Sequence, residues 1–244
     1  MKTIDTLLKQ LQKVGVHYIK SESAIILEIL EDKYNKAAEI DLLINELITQ
    51  QRNSHVKNIK LECPKLVLDS LTNTKLNMKI IGERIIYTNT LTMPVDLSVP
   101  DYDVWPISEN NSISFLSEVM RKSYIDTENF LIQMNEELPL QAEKMYTVYK
   151  VNNEPVGVVF PHIEPHTDRE GRMFWIGIHP YFIGKRMGKA LHLVGLYRLK
   201  IDFNAKSYVG ITQINNHAMK KIMISNGCIQ NKHTLISLEY SPLT

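Results

Sequence analysis

The N-terminal part of the chain alternates between helical and strand-like patterns of apolar positions. Apolar residues recur at i, i+3, i+4 and i+7 from Ile4 to Leu11, which predicts an amphipathic helix that ends near Gly15. A short strand is predicted over 17–20, and helical structure is predicted over 23–49. These elements indicate a mixed α/β region.

The same region continues with strand-like segments and then with a cluster of prolines. We predict a strand over 58–63, a helix over 64–72, and a strand or hairpin over 77–91 with a turn near Gly82. The prolines that follow are Pro94, Pro100 and Pro106. Since proline interrupts regular structure, this stretch is typical of a linker.

The linker divides the chain into two predicted domains. An N-terminal α/β region covers 1–93, the linker covers 94–101, and a second domain covers 102–244. In the second domain the apolar pattern predicts the order β-α-α-β-β-β-α-β-α-β, with an Asn152-Asn153 hairpin turn between its second and third strands.

Composition places the chain among ordinary globular proteins. Of its 244 residues, 44% are hydrophobic and 23% are charged, which excludes disordered, collagen-like and disulfide-scaffold classes. Lys and Arg number 28 against 27 Asp and Glu, which gives a net charge of +1. Because this balance provides no long-range attraction to polyanions, we expect neither nucleic acid nor a membrane as a partner.

Cysteine usage and the first residues favour a cytoplasmic location. Cys63 and Cys228 stand far apart, in no metal-binding or redox spacing, which fits buried thiols in a reducing compartment. Residues 1–5 lack the features of a signal peptide, and no apolar stretch of about 18 residues could span a bilayer.

A loop rich in glycine and cations, residues 183–189, joins a predicted strand to a predicted helix. Backbone N–H groups at the start of a helix can bind phosphate, and Gly184 and Gly188 allow a ligand to approach the backbone closely. A tight turn with solvated lysines is the alternative interpretation. A Walker A motif is excluded because Ala190 follows Gly188-Lys189, and the dinucleotide fingerprint G-x-G-x-x-G is absent.

This loop resembles the acetyl-CoA signature of the GNAT N-acetyltransferase superfamily, commonly written Q/R-x-x-G-x-G/A. Laid on residues 183–188, the signature matches Gly188, whereas Ile183 stands where Gln or Arg is usual and Arg186 stands where the first glycine is usual.

A second block of the chain also resembles the family. The segment that runs from Asn216 to Asn226-Gly227 is similar to the family's Asn-to-Gly block on the helix after the loop. Together with the order of elements, the resemblance covers about 140 residues, from Tyr102 to Tyr240, which is the size of one domain.

The resemblance implies the GNAT fold, an α/β (α+β) fold with a mixed, mostly antiparallel central sheet flanked by helices, here beside a smaller N-terminal α/β region. It also implies acetyl-CoA as co-substrate, with its pantetheine arm paired to the strand before the loop and its pyrophosphate held by the loop. The cofactor-binding residues that the resemblance implies are Ile176, Ile178, Ile183, Gly184, Lys185, Arg186, Met187, Gly188, Lys189 and Asn216.

Acetyl transfer to an amine needs a base for the amine and a proton for the leaving thiolate. In the family the base is often a Glu on or before the fourth strand. Glu170, which has the strand parity of Phe174 and Ile176, is the candidate catalytic residue, and Glu164 is the second candidate. Both can also be solvated loop acids. The usual acid is a Tyr seven places after the Asn, where this chain has Met223.

Histidines near the strand before the loop could suggest a metal site. His162 and His166 are four residues apart, but Pro161 and Pro165 exclude the regular helix that would place them on one face. We therefore expect no metal.

The N-terminal region could be a degenerate partial GNAT lobe. Residues 54–91 align without a gap on the stretch that begins at Lys206, with Ile59 on Ile211 and Pro64 on Asn216. Both stretches have the pattern strand, helix, strand. The alternative is that any two β-α-β stretches align.

Two functional hypotheses follow. The first is an acetyl-CoA-dependent N-acetyltransferase that acts on a primary amine of an unidentified small molecule or peptide. The second is a non-catalytic acyl-CoA-binding or regulatory module that retains the fold, which Ile183, Arg186 and Met223 favour. The resemblance is compatible with a homodimer.

Overall fold

The fold is described from a computed structural model, which covers residues 2–21, 24–29, 35–51, 56, 58–92 and 98–240. Residues 94–97 of the predicted linker lie outside this described part, and residues 98–101 are neither helix nor strand. Tertiary contacts divide the chain into two units. Unit 1 comprises Met1–Ile86, Ile211–Asn215 and Asn231–Thr244, and unit 2 comprises Tyr87–Gly210 and Asn216–Gln230.

This division differs from the domain prediction at the C-terminal end of the chain. Residues 211–215 and 231–244, which the sequence placed in the second domain, group with the N-terminal residues. The boundaries at 93, 94–101 and 102 stay a prediction.

The N-terminal stretch forms four strands and four helices in its described residues. These are α1 (Ile4–Lys13), β1 (Val16–Lys20), β2 (Ala24–Ile29), α2 (Ala37–Gln51), β3 (Asn58–Pro64), α3 (Lys65–Leu68), α4 (Thr72–Asn77) and β4 (Lys79–Asn89).

One sequence prediction in this stretch is wrong. Residues 24–29, which the sequence predicted as helical, form β2 with alternating burial along a run of Ile and Leu, and α2 spans Ala37–Gln51. Of the two alternatives over 77–91, the strand is confirmed and the hairpin is not, because β4 continues through Gly82 as a single strand.

The rest of the chain follows the predicted order, with one additional short helix, α7. Its elements are β5 (Tyr102–Val104), α5 (Asn110–Met120), α6 (Tyr124–Glu137), α7 (Ala142–Met145), β6 (Thr147–Val151), β7 (Glu154–Ile163), β8 (Glu170–Ile178), α8 (Gly188–Ile201), β9 (Ser207–Gln213), α9 (His217–Ser225) and β10 (Ile229–Tyr240). The turn between β6 and β7 is confirmed, since Asn152 and Asn153 adopt φ angles of 52° and 64°.

Unit 1 contains a mixed sheet in the order β1-β2-β3-β10-β4. β1 and β2 are antiparallel, β3 and β10 are antiparallel, and β2 and β3 are parallel. α1 and α2 cover this sheet with a continuous apolar cluster that includes Leu7, Leu11, Ile44 and Leu47. β2 and β3 pair at five consecutive positions, from Ala24–Asn58 to Glu28–Glu62.

Unit 2 contains a sheet in the order β9-β8-β7-β6-β5. β5, β6, β7 and β8 are joined by antiparallel pairing, whereas β8 and β9 are parallel. The predicted fold class, a mixed and mostly antiparallel sheet flanked by helices, is therefore confirmed.

Among the described residues of unit 2, two apolar clusters pack against β8. One contains α8 residues such as Leu191 and Val194, with Ile176 and Ile178 packed against it. The other contains residues of α5 and α6, with Phe174 and Trp175 packed against it. β8 thus has one face that packs on α8 and one that packs on α5 and α6.

Arg198 fixes α8 to the neighbouring strands by a buried polar contact. Its guanidinium donates to Thr147 Oγ1 at 2.5 Å and to Asp202 Oδ2 at 2.6 Å, while 3% of the residue is exposed. Such charge-assisted contacts hold the helix that carries the loop in place.

We expect Arg198→Met to lower the free energy of unfolding by about 2 kcal/mol, because partners of a buried charge lose their hydrogen bonds. Lys200→Met, on the exposed side of the same helix, should change it by less than about 0.5 kcal/mol. Denaturant titration measures both values, and equal losses would contradict this role of Arg198.

Candidate functional site

The central feature of unit 2 is the divergence of two parallel strands. β8 and β9 pair only at Glu170–Ser207 and Gly171–Tyr208 in the described residues. Beyond Gly171, β8 continues to Ile178 paired on its other side to β7. The backbone edge that faces β9 therefore offers peptide N–H and C=O groups that no sheet neighbour uses. Ile176 and Ile178, two predicted cofactor-binding residues, lie on this strand.

The loop predicted to bind pyrophosphate lies at the far end of β8 from the point of divergence. The backbone φ angle alternates in sign along this loop, because it is positive at Gly184 (+84°) and at Arg186 (+61°) and not at Lys185 between them. Alternating conformations of this kind turn successive N–H groups toward one side and form an anion-binding concavity. Arg186, which stands where the family has glycine, thus adopts the left-handed conformation that glycine provides without strain.

The loop cations lie at the start of α8. Lys185, Arg186 and Lys189 are exposed, and the Lys185 ammonium lies 3.8 Å from the centre of the Tyr181 ring. The first turn of α8 adds backbone N–H groups that have no partner within the helix. The positive end of the helix dipole and these cations both favour an anion here.

Gly188 lets two helices approach each other. A Cβ at this position would lie 2.6 Å from Cδ1 of Ile222 on α9. Bulky substitutions at Gly188 would therefore disturb the α8–α9 contact, so a loss of ligand binding in such a variant would not isolate the loop.

A polar network that includes the buried His192 and Tyr208 lies beneath the loop, and no sequence pattern predicted it. The Asn226 amide donates to Lys189 O at 3.0 Å and to Nδ1 of His192 at 2.9 Å. With Nδ1 as acceptor, the Nε2–H of His192 donates to the Tyr208 hydroxyl at 3.2 Å. Burial lowers the pKa of His192 to about 4, so the imidazole is neutral at neutral pH. The network joins the start of α8, the end of α9 and the point where β9 leaves β8.

The structure places the two predicted residues of α9 in structural positions. The Asn216 side chain caps the helix by accepting from Met219 N–H at 3.1 Å. Met223, which stands where the family has its proton-donating Tyr, is 1% exposed. Whether Asn216 also contacts pantetheine stays a prediction.

A bulge in β8 changes which residues share a face. Val159 pairs with Ile176 and Pro161 pairs with Met173, so Phe174 and Trp175 together lie opposite one residue of β7. The parity argument that placed Glu170 on one face with both Phe174 and Ile176 is therefore wrong for Ile176, which packs toward α8.

The face of β8 toward α5 and α6 carries half-buried aromatic side chains. These are Trp105, Phe115, Phe130, Phe174 and Trp175. Large apolar side chains that remain partly exposed beside a strand with free peptide groups are typical of a ligand-binding surface.

Charged side chains lie on the same face, at the start of β8. Arg172 Nε donates to Glu170 Oε1 at 2.7 Å, so the predicted base holds an ion pair. Arg172 Nη1 lies 3.6 Å from Glu164 Oε2, and His162 Nε2 lies 3.2 Å from the same oxygen. The hydrogen bond from His162 lowers the pKa of Glu164 against the effect of burial, and Arg172 adds to the lowering.

His179, another histidine of this region, has structural contacts. His179 Nδ1 accepts from Tyr181 N–H at 3.3 Å, and its Nε2 lies 3.0 Å from Glu118 Oε2. Across the described residues, no group of three or more His, Cys, Asp or Glu side chains is arranged to hold a metal ion. None of the described helices has the length and apolar character to cross a bilayer.

These features fit the ligand that the sequence resemblance implies. An open strand edge can pair with the amides of a pantetheine arm, and a cationic loop at a helix start can bind a pyrophosphate. Lys185, Arg186, Lys189 and the backbone of residues 183–188 would hold the phosphates.

Comparisons with known proteins bear on the fold of the chain. No protein-family profile and no curated protein matches the chain. Among solved structures, a GCN5-related N-acetyltransferase from Sphaerobacter thermophilus is similar at 11% identity and a TM-score of 0.64, over 93% of this chain and 76% of that one. A tandem GNAT protein from the clavulanic acid biosynthesis pathway is similar at 9% identity and a TM-score of 0.64, over 94% of this chain and 79% of that one. A GCN5-related N-acetyltransferase from Kribbella flavida is similar at 10% identity and a TM-score of 0.59, over 99% of this chain and 96% of that one.

Arg186→Gly should raise the free energy of unfolding by about 0.5–1 kcal/mol, because glycine removes the strain of a left-handed residue with a Cβ. Arg186→Ala keeps the Cβ and should give no such gain. Denaturant titration compares the two variants, and an equal effect of Gly and Ala would show that the conformation is not strained.

His192→Gln should reveal a pH-dependent contribution to stability. Neutral His192 is favoured in the fold, whereas the unfolded chain takes up a proton below about pH 6.5, so the contribution is lost as the pH falls toward 4. The difference in unfolding free energy between the wild type and the variant should shrink by about 3 kcal/mol between pH 7 and pH 4. A constant difference for His192→Gln would contradict the burial argument.

Proposed function

We propose that this chain, which has the fold of the GCN5-related N-acetyltransferases, is an acetyl-CoA-dependent N-acetyltransferase acting on a primary amine of a small molecule or peptide. The observation that carries the proposal is the divergence of β8 from β9, with a cationic helix start at the far end of β8. One element thus offers both a hydrogen-bonding edge and an anion site, as an acyl-CoA molecule requires.

Acetyl-CoA would supply the activated thioester, and the chain would supply its position. The β8 edge near Ile176 and Ile178 would pair with the pantetheine amides. The loop 183–189 would hold the pyrophosphate, and Asn216 would lie beside the lower arm. Such positioning is a large part of what an enzyme contributes to a bimolecular transfer.

The face of β8 toward α5 and α6 is where we place the acceptor. Glu164 and Glu170 attract a protonated amine, and the half-buried Phe174 and Trp175 provide apolar contact. Glu170 is the base that the sequence predicts, and its carboxylate becomes available only when the ion pair with Arg172 opens.

A second candidate function rests on Met223. A buried Met where the family has a proton-donating Tyr favours a module that binds acyl-CoA without turnover. The two candidates share ligand binding and differ in consumption of the thioester.

The N-terminal region fits a degenerate partial lobe. The order β1-β2-α2-β3-(α3, α4)-β4 repeats the order β7-β8-α8-β9-α9-β10. β2 and β3, the counterparts of β8 and β9, pair at five consecutive positions instead of two. The described residues of β2 and β3 show no open edge like that of β8, so we assign cofactor binding to unit 2. We further propose a cytoplasmic protein with an amine substrate, without nucleic acid or a membrane as partner, and a homodimer as a state to be tested.

Calorimetry with acetyl-CoA, CoA and ATP tests ligand binding. Acetyl-CoA and CoA should bind, and ATP should bind much more weakly because it lacks the pantetheine arm. The double variant Lys185→Gln, Lys189→Gln should raise the Kd for CoA about 30-fold, since each of the two phosphate contacts contributes about 1 kcal/mol. The double variant Lys122→Gln, Lys144→Gln removes the same charge elsewhere and is the matched control. Absence of binding by both CoA species would refute both candidate functions.

Release of free CoA thiol across a panel of primary amines separates the two candidates. Amine-dependent release supports the enzyme. Binding without release from any amine favours the module.

A further inference from the structure

His162 is a buried histidine that the proposed function does not yet use. It lies on β7, is 4% exposed, and its ring packs edge-on against Phe174 at a centroid distance of 6.0 Å. It therefore lies on the face of the sheet that carries the half-buried aromatic residues and the carboxylates.

Glu164 determines which nitrogen of His162 carries the proton. Nε2 lies 3.2 Å from Glu164 Oε2. The hydrogen bond from His162 and the charge of Arg172 keep the Glu164 carboxyl ionised at neutral pH. An ionised carboxylate only accepts, so Nε2 must be the donor, and Nδ1 of the neutral ring carries the lone pair.

Nδ1 has no hydrogen-bond partner among the described residues, although it is buried. An unpaired buried acceptor destabilises the fold, and such an atom in a folded protein can mark a water, ligand or catalytic position. A donor that reached Nδ1 from outside the chain would satisfy this lone pair.

The position of His162 in the sheet places it beside the point where β8 leaves β9. His162 pairs with Arg172, and Arg172 follows directly on Gly171, which makes the last β8–β9 pair. The bulge at Phe174 and Trp175 begins two residues later. From Arg172 to its end at Ile178, β8 extends roughly 20 Å toward the loop that we assign to the pyrophosphate. His162 therefore lies beside the end of β8 that is far from this loop.

The charged groups that face His162 are Glu164 on its own strand and Arg172 with Glu170 on β8. On the α6 side lies the apolar ring of Phe130, whose centroid is 5.6 Å from the centroid of the Phe174 ring. A carboxylate that orients an imidazole while the second nitrogen stays free is the arrangement of a general base and its positioning group.

On the premise of acetyl transfer to an amine, we infer that His162 is the catalytic base and that Glu164 is a positioning residue. Nδ1 takes a proton from the R–NH₃⁺ acceptor, directly or through one water, and leaves R–NH₂ and an imidazolium stabilised by Glu164. The amine lone pair then forms the N–C bond to the thioester carbonyl carbon. The C–S bond breaks, and sulfur keeps its electron pair.

The protons balance without a further co-reactant. The thiolate takes the second proton of the attacking nitrogen, and the imidazolium returns its proton to solvent. The products are the amide, CoA thiol and one proton. In this scheme Glu170 keeps its ion pair with Arg172, and the buried Met223 has no proton to supply.

NMR of the chain labelled with ¹⁵N-histidine tests the protonation state without catalysis. The signals absent from His162→Ala belong to His162. We expect Nε2 to carry the proton, Nδ1 to be bare, and the Nδ1 resonance to shift on addition of 2-phenylethylamine, the probe amine. A proton on Nδ1, or a Nδ1 resonance that the amine leaves unchanged, overturns the inference.

Kinetics with acetyl-CoA and the most active amine of the panel test the role directly. His162→Ala should lower kcat about 100-fold or more, with an unchanged Kd for CoA and partial rescue by added imidazole. Glu164→Gln should lower kcat about 5–10-fold at unchanged KM, because the imidazole loses the carboxylate that orients it. His166→Asn, in the exposed loop after β7, keeps a residue that tolerates φ +61° and should behave as wild type.

The outcomes separate this inference from the proposed function. If the wild type consumes no acetyl-CoA with any amine, the proposed function and this inference both fail. If the wild type is active and a folded His162→Ala variant keeps its kcat within threefold, only the role of His162 fails.

Discussion

The site in unit 2 depends on one constraint, the incomplete pairing of β8 with β9. Two parallel strands that pair at Glu170 and Gly171 and then separate leave peptide groups that must find partners elsewhere. The separation needs supports on both faces. α8 packs against Ile176 and Ile178 on one face, and α5 and α6 pack against Phe174 and Trp175 on the other. The bulge in β8 makes this possible, because it changes the face toward which successive side chains point.

The polar network under the loop ties the elements around this opening together. Asn226 satisfies a carbonyl at the start of α8 and the ring of His192, and His192 reaches the hydroxyl of Tyr208. Each of these groups is costly to bury alone and acceptable when bonded. The loop thus rests on a rigid base, although its own residues are exposed.

Much of the fold follows from local pattern, and the exceptions have physical causes. Glycine spacing predicted the loop, the period of apolar residues predicted α8, and the pair Asn152-Asn153 predicted the hairpin turn. Each of these features is decided by short-range geometry. β2 was missed because a run of Ile and Leu fits a buried helix as well as a strand, and its pairing with β1 and β3 decides between them. The bulge at Phe174 and the partners of His162 depend on register across strands, which no single-strand pattern contains.

Unpaired peptide groups at the rim of a sheet can template pairing with other chains. Here the free edge belongs to a strand with neighbours on both sides, since β8 lies between β7 and β9 in unit 2. The outer strand of this row, β5, has three residues, and Asp101 and Asp103 at that rim pair with Lys150. The chain can therefore keep a row of unpaired peptide groups for a narrow ligand, while the edge strand that it presents to other proteins is short and charged. This arrangement reduces the risk of aggregation.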